Sequence, residues 1–409
     1  MSKVRKDDRG RILRVGEVQR ENGLYMYRYN SLDGERHTIY DCDLLNLRQK
    51  EMRLNNDSFE GINSYKAGHT SLNFSFDRYI ETKYNLREQT RAGYKYYYDH
   101  FLRKGLGRRM ISDIKYSDIK IFYISLLKDR KLSISTLSDI QCFLHPTFQM
   151  ACRDGVIRNN PCQGVIKDIV GSFGCKKGVR HALTYDQQKE FMEYVASSPI
   201  YCHWLNLFTV MFGTGMRIGE VIGLRWEDLD FENNSINVNH CLIYAYMENG
   251  HSEFHVSKTK TDAGIRVIPM LSAVKSAFLN EKKIQLETGM NSTVVDGMSG
   301  FVFQNRSGAL CNPSTVNRAI QRIYEAHNAE AAEKEMRDHR KAVMIPSFSC
   351  HVIRHTFCTR LCEHENNLKV IQSIMGHADI QTTMNIYAEA TKERNNEAMV
   401  SLEHAVNIF

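Results

Sequence analysis

Residues 212–231, FGTGMRIGEVIGLRWEDLDF, decide how the second half of the chain is interpreted. Arg217 follows two glycines, so a helix is predicted to begin at this arginine. Glu220 lies one turn later, and Leu224 and Trp226 are placed to anchor the helix in a core. An arginine at the start of a helix is often structural, so this stretch alone assigns no chemistry.

Three further places carry unusual polar side chains. Two lysines stand in KTKTDAGIRVIP, near a predicted turn, and HVIRH, residues 351–355, puts its first histidine and its arginine on one helical face. In MGHADIQTTMNIYAEAT, residues 375–391, Gly376 suits a helix end, and a second short helix is predicted to follow. Taken singly, each place has a structural explanation. The candidate side chains are Lys258, Lys260, His351, Arg354, His377 and Tyr387.

Together these side chains suit one reaction on a phosphodiester. A tyrosine hydroxyl can attack the phosphorus, and two guanidinium groups can bind the extra negative charge of the pentavalent phosphate. A lysine can protonate the leaving sugar oxygen, while imidazoles can relay a proton or donate hydrogen bonds to the phosphoryl oxygens. The inventory requires no metal and no nucleotide. The chain also contains no G-x-x-x-x-G-K-[ST] loop, so no nucleotide-hydrolysis site of that kind is predicted.

The first 65 residues are predicted to form a small β-rich module. LYMYRYN and ERHTIYD alternate as strands do, and Asn22-Gly23 and Asp33-Gly34 are strong turn dipeptides beside them. A helix is predicted from about residue 43 to residue 55. The strands carry arginines, which leaves two interpretations open: a strand-built reader of DNA grooves, or a plain structural module.

Residues 66–170 are predicted to form a basic helical domain. Apolar residues recur there at three- and four-residue spacing, with 18 Lys+Arg against 10 Asp+Glu, or +8. Residues 1–65 carry 12 against 11, or +1, and residues 171–409 carry 24 against 26, or −2. The excess in the middle suits a phosphate backbone, although a solvated charged face would give the same count. GSFGCKKG suggests a linker at 171–180.

Residues 181–409 are predicted to form a third, mostly helical domain. Thr184 and Gln187 have the spacing of a capping box. SINVNHCLIYAY is predicted to be a strand, and EFHVSKTKTDAGIRVIPM to be a hairpin turning at residues 262–264. The charged segment 325–341 is predicted to be an exposed helix or an insertion.

Composition and cysteine usage restrict the class of protein. A chain of 409 residues with 42% hydrophobic and 25% charged residues is expected to be globular and divided into domains. No apolar run is long enough for a membrane helix and MSKVRKDDRG begins no secretory signal, so a cytoplasmic protein is expected. Eleven cysteines without a C-x-x-C pair indicate reduced thiols. One cluster could suggest zinc, but the sequence has no second paired cluster at finger-like spacing, so no zinc site is expected there. Its members are Cys350, His351, His355, Cys358 and Cys362.

The order of these motifs resembles that of the tyrosine recombinases, the phage-type DNA integrases. The resemblance rests on TGMRIGEVIGLRWEDLDF, KTKTDAGIRVIP, HVIRHTFCTRL and MGHADIQTTMNIYAEAT. The N-terminal DRGRILRVGEVQRENGLYMYRYNSLDGERHTIYD is further similar to the arm-type DNA-binding domain of integrases from conjugative transposons. The resemblance implies a multidomain α+β protein with three parts. These are a β-rich arm-binding domain, a helical (SAM-like) core-binding domain and a mostly α catalytic domain with a small antiparallel sheet.

The resemblance also implies a role for each candidate side chain. Tyr387 would be the nucleophile that forms a 3′-phosphotyrosyl bond. Arg217 and Arg354 would bind the phosphate, and Glu220 would hold an arginine in place. The remaining assignments are His351 for proton transfer, His377 for support of the phosphate and tyrosine, and Lys260 as general acid with Lys258 as the alternate.

The implied function is site-specific integration and excision of a mobile element. Its expected partners are double-stranded DNA with core-type and arm-type sites, three identical protomers in a synaptic tetramer, and an excisionase-type accessory factor. No cofactor, metal or membrane is expected, and DNA binding would place the protein at the nucleoid. Alternatives are a chromosome- or plasmid-resolving recombinase, an inactive DNA-binding regulator of the same fold, and a metal-dependent transposase or nuclease, for which no carboxylate triad is recognisable.

Overall fold

A computed structural model describes residues 5–173, 181–246, 251–258, 264–338 and 342–388. The chain divides into two compact units, residues 1–177 and 178–409. No helix within the described ranges has the length and apolarity to cross a membrane.

The first unit begins with a three-stranded antiparallel sheet in the order β1-β2-β3. Gly23 and Gly34 have φ of 78° and 81°, as expected for the predicted turn dipeptides. Asp43 caps the following helix by accepting from the backbone N–H of Leu45 at 2.6 Å. The predicted strands and helix are confirmed, and their bounds are β1 Glu17–Gln19, β2 Tyr25–Asn30, β3 Arg36–Asp41 and α1 Leu44–Phe59.

The rest of the first unit is helical and has its own aromatic core. Phe76 stacks on Tyr98 with ring centroids 3.7 Å apart, and both pack against Phe143. The helices are α2 Ser64–His69, α3 Leu72–Thr82, α4 Glu88–Phe101, α5 Tyr116–Lys128, α6 Ile134–Arg153 and α7 Val165–Phe173. The first three residues of the expected linker, 171–173, are thus the end of α7. Residues 174–180 lie outside the described ranges.

The second unit builds a separate core from helices and short strands. Thr184 and Gln187 form the predicted capping box, with the Thr184 N–H donating to Gln187 Oε1 at 3.0 Å. The helices are α8 Tyr185–Ser197, α9 Leu205–Thr214, α10 Ile218–Gly223, α11 Ser272–Thr288, α12 Pro313–Asp338, α13 Cys350–His364 and α14 Leu368–Met375. Residues 380–388 are helical as well. The charged segment predicted as a helix or insertion is the second half of α12, up to Asp338.

The strands of this unit pair differently from the sequence expectation. The strands are β4 Leu229–Asp230, β5 Ser235–Val238, β6 His240–Tyr246, β7 Ser252–Lys258 and β8 Arg266–Pro269. In the described ranges β7 pairs with β6 and β8 pairs with β5, so the predicted hairpin between β7 and β8 is wrong.

A competing turn and a nearly continuous strand explain this pairing. Asn249-Gly250, another strong turn dipeptide, stands between β6 and β7. Only Asn239 separates β5 from β6, so the returning chain pairs along both strands in succession. His240 is opposite Lys258 in one ladder, and Val238 is opposite Arg266 in the other. The chain from residue 258 to residue 266, which we call the lysine segment, therefore connects the two ladders. The α+β class itself is confirmed, with a small N-terminal sheet, helical bundles and small antiparallel sheets in the second unit.

Candidate active site

Arg217 is positioned by a sharp turn between two helices. α9 ends at Gly215, whose φ is 61° and whose Cβ, if it had one, would lie 2.3 Å from the Phe357 ring. Arg217 then stands at the N-cap of α10. Its backbone N–H and its Nη1 donate to the two carboxylate oxygens of Glu220, at 2.9 and 2.8 Å. About half of the Arg217 side chain (47%) remains exposed, so this guanidinium can reach a ligand.

Glu220 is buried and shared by two arginines. Arg266 Nη2 donates to Glu220 Oε2 at 2.8 Å, and Arg266 Nη1 donates to Oε1 at 3.3 Å. Burial alone would raise the pKa of Glu220. The hydrogen bond and charge of Arg266, followed by those of Arg217, outweigh burial and hold the pKa below its usual value. The carboxylate is therefore ionised and acts as the anchor of both guanidinium groups.

Arg354 is the buried arginine of H-x-x-R on α13. Its Nη1 donates to Gly215 O at 2.8 Å, and its Nη2 donates to Met375 O at 2.5 Å. Burial and the nearby positive charge of Arg217 lower its pKa to about 9. A cation held at such a site is stabilised by an anion, and a DNA phosphate is a suitable one.

The three arginines converge on the end of α14. Arg266 Nε, Arg354 Nη2 and Arg217 Nη2 donate to three successive carbonyls, those of residues 374, 375 and 376. The last carbonyls of a helix have no partner within the helix and carry partial negative charge, so they attract cations. The turn before His377 is thus fixed by the guanidinium groups.

His377 follows this turn and is buried. Gly376 ends α14 with φ 63°, and His377 Nδ1 lies 2.9 Å from Thr383 Oγ1. Burial, followed by the charges of Arg354 and Arg217, lowers the His377 pKa to about 4. The imidazole is therefore neutral near pH 7.

His351 and Tyr387 lie on helices beside this cluster. His351 is exposed in the first turn of α13, three residues before Arg354, so the two share a helical face as the sequence predicts. Tyr387 lies in the helical residues 380–388 and is half-buried. It packs against a buried cluster formed by Cys358, Cys362, Ile371 and Met375, which places the tyrosine beside α13 and α14.

The two lysine candidates differ in what the structure describes. Lys258 is the last residue of β7, and its backbone pairs with His240. Lys260 lies outside the described residues.

Two buried residues of the site were missed from the sequence. Arg266 occupies an inward position of β8, where exposure alternates as buried, exposed, buried, exposed. A charged side chain at an inward strand position requires an ion-pair partner. The alternation of β8 in the sequence could therefore have indicated that Arg266 is buried and paired. Thr383 is fully buried as well. Within the described ranges, no three His, Cys, Asp or Glu side chains are grouped so that they could hold a metal ion.

The N-terminal sheet presents a second polar surface, which we call the sheet face. Three cross-strand pairs of β2 and β3 lie on this face. They are Met26 with Tyr40, Arg28 with Thr38, and Asn30 with Arg36. The opposite face, including Tyr25, packs against α1. Arg28, Asn30, Arg36 and Tyr40 are exposed, and the Arg20 guanidinium lies 5.2 Å from the centre of the Tyr40 ring. A polar, cationic, two-stranded ribbon of this kind fits a DNA groove.

Comparison with known proteins finds matches for the region of the arginine cluster and for the region of the N-terminal sheet. The phage integrase family model matches residues 181–394, more than half of the chain. A model described as the DNA-binding domain of Tn916 integrase matches residues 1–58. The chain is 29% identical to the transposase from transposon Tn916 of Enterococcus faecalis, over 96% of this chain and 95% of that protein. It is 27% identical to a tyrosine recombinase XerC-like protein of Caldanaerobacter subterraneus subsp. tengcongensis, over 76% of each.

Solved structures show the same relationship. The Tn1549 transposon integrase (residues 82–397 of that protein), bound to circular intermediate DNA, aligns with a TM-score of 0.68 and 27% identity, covering 81% of this chain and 99% of that one. A lambda integrase tetramer on a Holliday junction shares the fold, with a TM-score of 0.51 and 18% identity, covering 91% of this chain and 94% of that one. The chain therefore belongs to the phage integrase family, and it is a tyrosine site-specific recombinase.

Proposed function

We propose that this recombinase integrates and excises a mobile genetic element, with the arginine cluster at the end of α14 as its phosphate site. The observation that carries the proposal is the convergence of Arg217, Arg266 and Arg354 on three successive carbonyls, with half of Arg217 exposed. The transposon proteins among its relatives favour a mobile element over chromosome or plasmid resolution. The complete set of reactive side chains argues against an inactive regulator.

The proposed cleavage exchanges one phosphodiester for another. The Tyr387 oxygen attacks the scissile phosphorus, the bond from phosphorus to the 5′ oxygen breaks, and a 3′-phosphotyrosyl bond forms. His351 takes the tyrosine proton. The departing 5′ oxygen receives a proton from Lys260, or from Lys258 as the alternate. One phosphorus–oxygen bond replaces another, so a different 5′ hydroxyl can reverse the step without ATP.

Each remaining site residue has a defined part in this step. Arg217 and Arg354 bind the phosphoryl oxygens, whose negative charge increases as the pentacoordinate state forms. Glu220 keeps Arg217 oriented through the bond from Nη1. His377 is neutral, so it can donate a hydrogen bond to the phosphate without adding a positive charge.

Three surfaces would bind DNA. The sheet face would read arm-type sites within residues 1–65, and the helical residues 66–170, with their +8 charge, would grip the core site. In the catalytic region, 181–409, a groove of about 350 Å³ is lined by Arg306, Arg318, Arg322 and the Trp204 ring, which suits phosphates. Residues 171–180 would connect the second and third of these regions.

Recombination between two duplexes requires four strand cleavages, so a synaptic tetramer of identical protomers is proposed. An excisionase-type factor would set the direction, and the bound complex would lie on the bacterial nucleoid. The lambda integrase neighbour was solved as a tetramer on a Holliday junction, which supports this assembly for a protein of the same fold.

A covalent-trapping experiment tests the proposal. Labelled DNA from the ends of the host element is incubated with the protein in EDTA, and denaturing gels report covalent complexes. The parent and Tyr324→Phe are expected to form the complex, whereas Tyr387→Phe binds DNA and forms none. Tyr324 is a matched control because it lies in the same unit and its hydroxyl contacts Ser347 Oγ at 3.0 Å, away from the arginine cluster. A complex that persists in Tyr387→Phe, or that requires a divalent metal, would contradict the proposal.

A further inference from the structure

Arg266 is a buried cation of the site, and the reaction outlined above gives it no part. Its side chain is 4% exposed, and it donates to Glu220, to Gly264 O at 3.1 Å and to Ile374 O at 2.7 Å. The guanidinium of Arg266 therefore connects β8 with the end of α14, through Ile374 O, and with the last part of the lysine segment, through Gly264 O. Such a residue is held by its surroundings and cannot itself be the group that reaches the DNA.

Arg266 and Arg217 share the carboxylate of Glu220. The pair between Arg266 and Glu220 uses both carboxylate oxygens, at 2.8 and 3.3 Å. The Arg217 side chain makes a single bond to Glu220, and its Nη2 donates to Gly376 O at 3.2 Å. Much of the negative charge of Glu220 is therefore compensated from the buried side, and the half-exposed Arg217 retains positive charge toward its open side.

Apart from the general-acid lysine, which gives up its charge with its proton, the charges of the site can be counted. Arg217, Arg266 and Arg354 are three cations, Glu220 is one anion, and His377 is neutral, so these groups carry a net charge of two positive units. A DNA phosphodiester carries one negative charge, and the pentacoordinate phosphorane carries two. The groups therefore match the transition state better than the ground state, which is the condition for acceleration. Without Arg266 they would match the ground state.

We propose that Arg266 is a positioning residue for strand cleavage: by binding Glu220 it holds Arg217 in place and leaves the positive charge of Arg217 available to the phosphorane. This inference rests on the proposed phosphate site. It goes beyond that proposal because it assigns a function to a cation that does not touch the DNA.

The competing explanation is that Arg266 and Glu220 form an ordinary buried ion pair that joins β8 to α10. The chain contains a matched example in Arg225, whose side chain is 16% exposed and pairs with Glu227 and Asp228 in the same unit. The two explanations differ in how the reaction depends on the charge of the scissile phosphate. A structural pair supports cleavage of any substrate equally. A charge effect is larger on the phosphate, whose pentacoordinate state carries two negative charges, than on the methylphosphonate, whose pentacoordinate state carries one.

The experiment measures cleavage rates at saturating protein on two substrates, DNA with a normal scissile phosphate and DNA with a neutral methylphosphonate there. Arg266→Gln is expected to slow cleavage of the phosphate by on the order of 10²-fold, as for loss of a preorganised charge, with DNA affinity nearly unchanged. On the methylphosphonate, the cleavage rate of the same variant relative to the parent should fall by a factor about ten times smaller. Arg225→Gln should slow both substrates by one common factor.

A double variant, Arg266→Gln with Glu220→Gln, keeps the experiment decisive if Arg266→Gln folds poorly, because it removes both charges of the buried pair together. Two net positive charges remain, so its preference between the two substrates should be close to that of the parent, whatever its absolute rate. Equal slowing of both substrates by Arg266→Gln, or a double variant whose preference departs from the parent's, would overturn the inference. Failure of the parent to form a Tyr387-dependent complex is a separate result, and it would count against the proposed phosphate site.

Discussion

At the scale of single residues, the site depends on hydrogen bonds that fix a neutral histidine. Thr383 is fully buried, and its hydroxyl oxygen lies 2.9 Å from His377 Nδ1. If that hydroxyl donates to Nδ1, the proton of the neutral ring is on Nε2, which is then a donor available to the phosphate. We propose that Thr383 donates in this way and so favours the tautomer that can donate to the phosphate.

Thr383→Val should therefore slow strand cleavage by about 2- to 10-fold, the effect of one net hydrogen bond, with little change in DNA affinity. Single-turnover cleavage of core-site DNA measures this. Thr382→Val is the matched control, because Thr382 is exposed on the same helix, and it should cleave at the parent rate. Equal rates for Thr383→Val and Thr382→Val would contradict the tautomer argument.

The sequence predicts some residues of the site and not others, for physical reasons. H-x-x-R and G-H are local patterns, so the shared face of His351 and Arg354 and the helix end at Gly376 follow from spacing alone. Arg266 joins Glu220 across 46 residues and Ile374 across 108 residues of sequence, and no local pattern reports such distant partners.

At the scale of elements, the lysine segment is the part in which sequence and structure disagree. The sequence has a turn signal on each side of β7, at residues 249–250 and at residues 262–264. In the structure β7 pairs with β6 and not with β8. The segment from Lys258 to Arg266 consequently joins two ladders, with its start paired to His240 and its end tied to Glu220 through Arg266.

The choice between the two lysines has a chemical test. DNA with sulfur in place of the 5′ bridging oxygen has a leaving group that needs no proton. Lys260→Ala should cleave normal DNA poorly and sulfur-substituted DNA nearly as fast as the parent, while Lys258→Ala shows no such rescue. Rescue of Lys258→Ala would assign the proton to Lys258, and rescue of neither variant would point to a histidine.

At the scale of the whole molecule, charge is distributed unequally between the regions that would bind DNA. The sheet face lies in a segment of net charge +1, whereas the helical segment that follows carries +8. Phosphate contacts supply most sequence-independent affinity, and groove contacts supply specificity. The sheet is therefore suited to choosing a site, and the helical segment to holding the duplex near the scissile bond.

Arg28→Gln with Arg36→Gln should weaken binding to arm-type repeats by roughly 10-fold or more, the effect of lost base contacts. Cleavage of core-site DNA at saturating protein should be unchanged. Gel-shift titration and covalent trapping measure the two effects. Arg53→Gln, an exposed arginine of α1, is the control and should bind arm repeats nearly as well as the parent. Loss of core cleavage in the double variant would reverse this division of labour.

Tyr387 is proposed to carry the DNA during strand exchange, and this is tested by identifying the residue that is joined to DNA in the covalent complex. The complex is trapped on core-site DNA, digested with nuclease and trypsin, and analysed by mass spectrometry. The expected result is a peptide with a nucleotide joined through its 3′ phosphate to Tyr387. A nucleotide on any other residue, or a 5′ linkage, would contradict the account.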